Sequence, residues 1–193
     1  MSAFEFVFSF FGLLLGFSLV EVLGGLARAL AARVRPAAGD VGPIRIGWLT
    51  PLLGLYVMLD LVSFWGASWS ARDNLTVSGP IMLGGLFFAG AYYLAAHLVF
   101  PPDPRTEPDL DAHYFRVRHL VLGAVTALMA LQLCYWLAVP DLAVNFRNPL
   151  LIAKVVICFV LLGTAMLARG RTMSTIALVL LVAQYVYDYL GQI

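Results

Sequence analysis

Hydrophobic residues gather in six long blocks separated by short polar segments, and this pattern sets the prediction for the whole chain. Each block is close to the roughly 20 residues that a helix needs to cross about 30 Å of hydrocarbon. The pattern predicts an all-α, six-transmembrane-helix bundle that forms one integral membrane domain over residues 1–193. The predicted spans cover about residues 4–31, 47–67, 79–100, 115–138, 149–168 and 173–191. The first is predicted as a retained span, because no basic segment precedes it and it exceeds the length of a signal peptide's apolar region.

Composition supports the same class of protein. Hydrophobic residues make up 62% of the chain and charged residues 12%, whereas soluble domains average about 45–50% and about 25%. The mean hydropathy is +0.90. A net charge of +1 gives no indication of a nucleic-acid partner. Cys134 and Cys158 fall inside predicted spans without metal-ligand spacing, so we interpret them as small packing residues.

The arginines are distributed unequally between the two sides of the predicted bundle. Nine arginines flank the connections between spans 1 and 2, 3 and 4, and 5 and 6, whereas only Arg72 and Arg147 lie on the other side. The positive-inside rule therefore predicts that both termini are extracytoplasmic. Two three-span halves would then have opposite orientations, so a 3+3 inverted repeat, as found in many transporters, is an alternative that we weigh.

The first span contains a carboxylate, Glu21, in an otherwise apolar run. Charged residues inside spanning helices are costly and are functional candidates by default. At 100° per residue, Glu21 lies opposite Gly12 and Gly16. Their GxxxG spacing predicts close helix packing, and we expect a homo-oligomer formed through this face. The Glu21 side of the helix, which also carries Phe10 and Phe17, is predicted to form a polar lining.

Other polar residues sort into two layers at 1.5 Å of depth per residue. The outer layer holds Asp60, Gln132, Lys154 and Asp188, one or two turns below the outer surface, and the inner layer holds Glu21, His97 and His119, with Tyr93 on the His97 face. We predict that these residues line a path for protons or small cations, in which Glu21 is the main binding residue. A structural interpretation stays open, in which Glu21 pairs with Arg28 or a neighbouring helix and Lys154 neutralises Asp60 or Asp188.

Three other functions are kept as alternatives. His97 and His119 could be axial ligands of one b-type haem, although no CxxCH motif is present. A membrane-embedded zinc hydrolase is another alternative, although the sequence contains no HExxH motif. Its candidate ligands are His97, His113, His119, Glu21 and Asp60. An accessory or assembly subunit would need no chemistry of its own. We predict no cofactor and expect a protein that is not an enzyme.

The run FSFFGLLLGFSLVEVLGGLAR in span 1, taken with Asp60 and Trp65 in span 2, resembles small bacterial polytopic inner-membrane proteins of unknown function. The resemblance covers most of the chain. It implies a multi-pass protein surrounded by lipid in the bacterial cytoplasmic membrane, and it implies no activity.

Overall fold

Six long apolar helices form the structure, a computed structural model that describes residues 3–34 and 44–191. Each helix is long and apolar enough to span a membrane. They are α1 (Ala3–Val34), α2 (Leu49–Ser70), α3 (Gly79–Val99), α4 (Leu110–Ala138), α5 (Pro149–Leu167) and α6 (Arg171–Leu190). A short helix, Pro140–Ala143, and two 3-10 turns, Arg72–Asn74 and Val144–Arg147, lie in the connections. The prediction of an all-α, multi-pass membrane protein is confirmed.

Capping residues explain where two helices begin. Helix α4 starts at Leu110 rather than near 115, because the Asp109 carboxylate accepts hydrogen bonds from the backbone N–H groups of Asp111 and Ala112. Asn148 caps α5 in the same way, and Pro149 occupies the first turn. Arg35, one of the nine arginines that flank the inner connections, lies outside the described residues.

Helix α2 is the central helix of the bundle. It packs against α1, α3, α4 and α6, while α5 lies between α4 and α6. In the most apolar stretch of α2, 44% of the residues are buried, compared with 17–22% in the corresponding stretches of the other five helices. Large apolar side chains such as Phe17, Leu83 and Val156 are more than half exposed on the outside of the bundle. A continuous apolar exterior of this kind is what contact with lipid requires.

The two halves of the chain pack differently. In the first half α1 runs along α3 in the most extensive helix–helix contact, whereas the corresponding α4 and α6 share no comparable interface. The inverted repeat therefore gains no support from the packing and stays a prediction, as does the orientation in the membrane.

The three arginine-rich connections converge on one face of the bundle, which we call the inner face. The backbone N–H of Arg45 donates to Pro108 O at 2.7 Å, and the Arg171 guanidinium pairs with Asp109 at 3.1 Å. The Asp111 carboxylate accepts the Leu49 N–H at 3.1 Å and so caps α2. This contact ties the first connection to the start of α4, so the predicted inner loops form one network.

Arg118 is buried at this face and serves a structural purpose. Its guanidinium donates to the carbonyl oxygens of Ala168 and Ala165 at the end of α5 and lies 4.8 Å from the Phe115 ring. A cation at the C-terminal end of a helix complements the free carbonyl groups there.

Glycines other than the predicted pair allow α1 and α3 to approach. A Cβ atom at Gly25 would lie 2.7 Å from Phe100 Cβ, and one at Gly85 would lie 2.6 Å from the Phe11 ring. Gly12 faces only the Trp65 side chain, and a Cβ at Gly16 would meet nothing within 4 Å. Gly12 therefore packs against α2 within the chain, Gly16 is left open, and the homo-oligomer that this face predicts stays a prediction.

Candidate functional site

Asp60 lies at the middle of α2, eleven residues after Leu49 and ten before Ser70. It is 2% exposed and is the one carboxylate of the buried class among the described residues. No lysine, arginine or histidine in the described part of the chain forms an ion pair with it. The sequence predicted a position one or two turns below the outer surface, but α2 continues outward to Ser70, so the carboxylate lies deeper.

Two tyrosines from opposite sides of α2 hold the Asp60 carboxylate. Tyr92 of α3 donates its hydroxyl to Oδ2 at 2.7 Å, and Tyr185 of α6 donates to Oδ1 at 2.6 Å. Long side chains in helices lean toward the N-terminus of their own helix. Because α3 begins at the outer face and α6 at the inner face, the two side chains lean toward each other in depth and meet at Asp60.

The inner side of this cluster is apolar. One turn below Asp60, the Tyr56 ring packs 5.9 Å from that of Tyr185, and its hydroxyl lies 3.8 Å from the Met129 sulfur. Fully buried aliphatic side chains fill the core from there toward the inner face: Leu53, Val57, Val99, Val121, Leu122 and Val125. No polar route leads from Asp60 to the inner face among the described residues.

The outer side of the cluster is polar. The Lys154 ammonium forms an ion pair with Asp188, and the Gln184 amide donates to the Lys154 carbonyl oxygen at 3.0 Å. Asp188 lies three residues beyond Tyr185 on the same face of α6, and both side chains of the ion pair are partly exposed. Of the two partners that the sequence left open for Lys154, the structure selects Asp188. Its depth, five residues below Pro149, agrees with the predicted outer layer.

Glu21, the main binding residue of the predicted path, lies at the inner edge of the bundle. Its carboxylate contacts Arg28 at 3.2 Å and His97 at 3.1 Å. His97 is two residues from the end of α3, and α1 continues about 20 Å past Glu21 to Val34. Both proposed structural contacts of Glu21, with Arg28 and with a neighbouring helix, are therefore present.

The predicted polar lining around Glu21 stays a prediction. Phe10 and Phe17, which share its side of α1, are about half exposed on the outside of the bundle. Helix α1 lies at the periphery of the chain and buries its other face against α3, so this side of α1 faces away from the bundle.

The remaining predicted site residues are scattered. Tyr93 is exposed and stacks on His97 with ring centroids 6.3 Å apart, and His119 is exposed with no hydrogen bond to any described residue. His113 contacts Glu107 at 2.6 Å near the inner face. Gln132 lines an apolar cavity. Among the described residues, no three His, Cys, Asp or Glu side chains converge, so the ligands weighed for a zinc site lie apart.

The tyrosines of the Asp60 cluster were missed by sequence reasoning. Tyr93 was chosen because it shares a face with His97, whereas its neighbour Tyr92 points inward and is 1% exposed. Tyr185 was not among the predicted site residues. Two features of the sequence could have indicated the cluster. Tyr185 lies five residues inside its span, and Tyr56 and Asp60 are spaced to share one face of α2.

The fold and this site define a multi-pass membrane protein with a buried acidic site at the centre of its bundle. No known protein family matches the chain, and no curated protein or solved structure shows significant similarity to it. The resemblance to small bacterial inner-membrane proteins therefore stays a prediction.

Proposed function

We propose that the protein is a membrane transport protein in which Asp60 binds and releases protons that enter from the outer side. The observation that carries this proposal is a fully buried carboxylate, at the middle of the central helix, with two hydroxyl donors and no cation. Ionisable residues inside membrane bundles mark ion and proton pathways by default. The position of Asp60 between three helices gives its protonation a direct effect on their packing.

The hydrogen-bond chemistry of the cluster explains that effect. An ionised carboxylate only accepts hydrogen bonds, and both tyrosine hydroxyls donate to it. Once Asp60 takes a proton, one of its oxygens becomes a donor, and the tyrosine hydroxyl that faces this oxygen would turn and accept. The hydrogen bond between α2 and that tyrosine is then kept with its direction reversed, and the tyrosine's own O–H needs another acceptor. This rearrangement is the step by which proton binding would alter the arrangement of helices.

The proton is a better match than a metal cation. Divalent cations such as Ca²⁺ take six or more oxygen ligands. The cluster offers the two oxygens of Asp60 and the hydroxyls of Tyr92 and Tyr185. The Tyr56 hydroxyl, one turn away on the inner side, brings the side-chain oxygens to five, and the aliphatic side chains beyond it add none.

Access from the outer side is supported by the polar residues that lie beyond Tyr185. Lys154 and Asp188 are partly exposed, and Asp188 lies three residues beyond Tyr185 on the same face of α6. With both termini outside, as the arginine distribution favours, these residues face the periplasm of a bacterial inner membrane.

Proton flux into liposomes tests the proposal. The protein would be reconstituted with a pH-sensitive dye inside the vesicles, and a valinomycin-clamped potential would drive flux. We expect Asp60→Asn to reduce the flux at least tenfold, because asparagine keeps the size of the side chain and removes the titrating group. Glu21→Gln, the matched control, should retain the wild-type flux within about twofold. Equal flux in wild-type and Asp60→Asn vesicles would overturn the proposal.

An accessory role in a membrane assembly is a second candidate, favoured by the open face at Gly16. A Cβ there meets nothing within 4 Å, so a helix from a second copy or another subunit has room to pack. We propose a homo-oligomer through this face. Gly16→Cys should form a disulfide-linked dimer in membranes, whereas Leu83→Cys, on an exposed side of α3, should not. Absence of a Gly16→Cys dimer would contradict the interface.

A further inference from the structure

A cavity of about 260 Å³ lies between the outer ends of α1, α2, α3 and α4. It is separate from the Asp60 cluster, because Phe64 forms part of its floor and packs 5.5 Å from the Tyr92 ring beneath. Leu75 and Val77, in the connection between α2 and α3, lie at its outer end.

Aromatic rings form much of the cavity wall. They come from all four helices around it: Phe8, Phe11, Phe64, Phe88, Trp65 and Trp136. Aromatic pairs in offset or edge-to-face contact gain about 0.5–1.5 kcal/mol beyond the burial of their area. A wall of this kind therefore favours a planar aromatic guest over a flexible acyl chain, which also loses more conformational freedom on binding.

Gln132 supplies the only side-chain amide of the wall, and this amide has no partner among the described residues. Gln132 forms no hydrogen bond with any described residue, although its amide carries both donors and an acceptor. An unpaired polar group in an apolar site rejects a guest that leaves it unsatisfied and favours one that pairs with it. A guest with a single hydroxyl or carbonyl group would satisfy the amide.

The volume sets the size of the guest. A cavity of about 150 Å³ lined by aliphatic and aromatic residues holds benzene. A volume of about 260 Å³ accommodates one or two fused rings. We infer that this cavity binds a neutral aromatic molecule of one or two rings that carries one hydroxyl or carbonyl group, with Gln132 as its hydrogen-bond partner. The inference does not depend on proton transport.

Tryptophan quenching by brominated probes tests the inference. Of the four tryptophans, Trp65 and Trp136 line the cavity. A Trp48→Phe/Trp69→Phe background reports on these two alone. In lipid nanodiscs, 6-bromo-2-naphthol should quench their fluorescence with a saturable curve and one site per chain. 1-Bromodecane should quench weakly and without saturation.

Two glycines of α3 provide a matched pair for this test. A Cβ atom meets nothing within 4 Å at either Gly84, which lines the cavity, or Gly90, which does not. Gly84→Phe should fill the cavity and remove the saturable quenching, whereas Gly90→Phe should leave it unchanged. The same quenching in both variants would show partition into lipid and would overturn the site.

Gln132→Leu tests the polar contact separately. This variant should weaken the binding of 6-bromo-2-naphthol at least tenfold. The affinity for 2-bromonaphthalene, which lacks the hydroxyl, should stay unchanged. Retained binding of the second probe also shows that the variant is folded. Unchanged affinity for both probes would overturn the role of Gln132, and saturable binding of 1-bromodecane at equal affinity would overturn the aromatic class of ligand.

Discussion

Two carboxylates, Glu21 and Asp60, interrupt apolar helices in the same way in the sequence, and the structure gives them opposite surroundings. Glu21 is 21% exposed at the inner edge and contacts two basic side chains. Asp60 is 2% exposed at the centre and contacts only tyrosine hydroxyls. The first carboxylate is neutralised by neighbours that are themselves about half exposed, whereas the second has to be satisfied within the bundle.

The comparison shows that the position of an acidic residue within an apolar run is a poor measure of its depth. Helix α1 has 32 residues, more than a membrane requires, and its last nine extend past Gly25, which is level with the end of α3 at Phe100. Glu21 was predicted to lie deep in the membrane because the apolar run of α1 is long. Part of that run, however, lies beyond the bundle. Helix α2, with 22 residues, is nearly the length of a span, so the middle of its run is also the middle of the bundle.

The largest effect is expected from removing both hydroxyl donors of the Asp60 cluster. Hydrogen bonds to charged groups contribute about 1.5–3 kcal/mol each. The double variant Tyr92→Phe/Tyr185→Phe should therefore lower the free energy of unfolding by about 3 kcal/mol or more. Denaturant titration in mixed micelles, followed by circular dichroism, measures this loss.

Tyr93→Phe is the control for that experiment. The Tyr93 hydroxyl is on the exposed side of α3 and forms no hydrogen bond with a described residue, so the change should be within about 0.5 kcal/mol. A double variant as stable as the wild type would mean that the two tyrosines do not hold the carboxylate.

An intermediate effect is expected one turn beyond Glu21, where the contact between α1 and α3 depends on a glycine. Gly25→Ala should lower the free energy of unfolding by about 1–3 kcal/mol, because its Cβ would overlap Phe100 close to that residue's backbone. At the adjacent Gly24, a Cβ meets only the flexible end of Arg28 at 3.4 Å. Gly24→Ala should be neutral or stabilising, since alanine favours a helix by up to about 1 kcal/mol. Equal losses in the two variants, in the same denaturant titration, would contradict this packing.

The smallest effect is expected from Glu21 itself. Exposed ion pairs contribute about 0–1 kcal/mol and are screened by salt. Glu21→Gln should change the free energy of unfolding by less than about 1 kcal/mol, and the difference should shrink when unfolding is repeated at about 1 M salt. A loss above about 2 kcal/mol that is insensitive to salt would place Glu21 in a buried setting and remove the contrast with Asp60.

The hydrophobic pattern was sufficient to predict the number, type and approximate bounds of the helices, because spanning a membrane requires long apolar runs. It also predicted the depth of Lys154 and its pairing with Asp188 as one of two options. The Asp60 cluster could not be predicted, since its hydroxyl donors come from α3 and α6, and only the packing of both on α2 joins them. To choose Tyr92 over Tyr93, one has to know how α3 is rotated about its own axis. The sequence of a helix that is apolar on all sides does not indicate that rotation.

Infrared titration of the carboxyl groups tests the role of Asp60 most directly. Difference spectra of the reconstituted protein, recorded while the pH is lowered, would be compared for wild type, Asp60→Asn and Glu21→Gln. Among the C=O bands of the 11 protonated Asp and Glu side chains, the account predicts one that is present in wild type and Glu21→Gln and absent in Asp60→Asn. Identical C=O bands in wild type and Asp60→Asn, or loss of that one band in Glu21→Gln, would show that Asp60 does not take up the proton and would contradict the account.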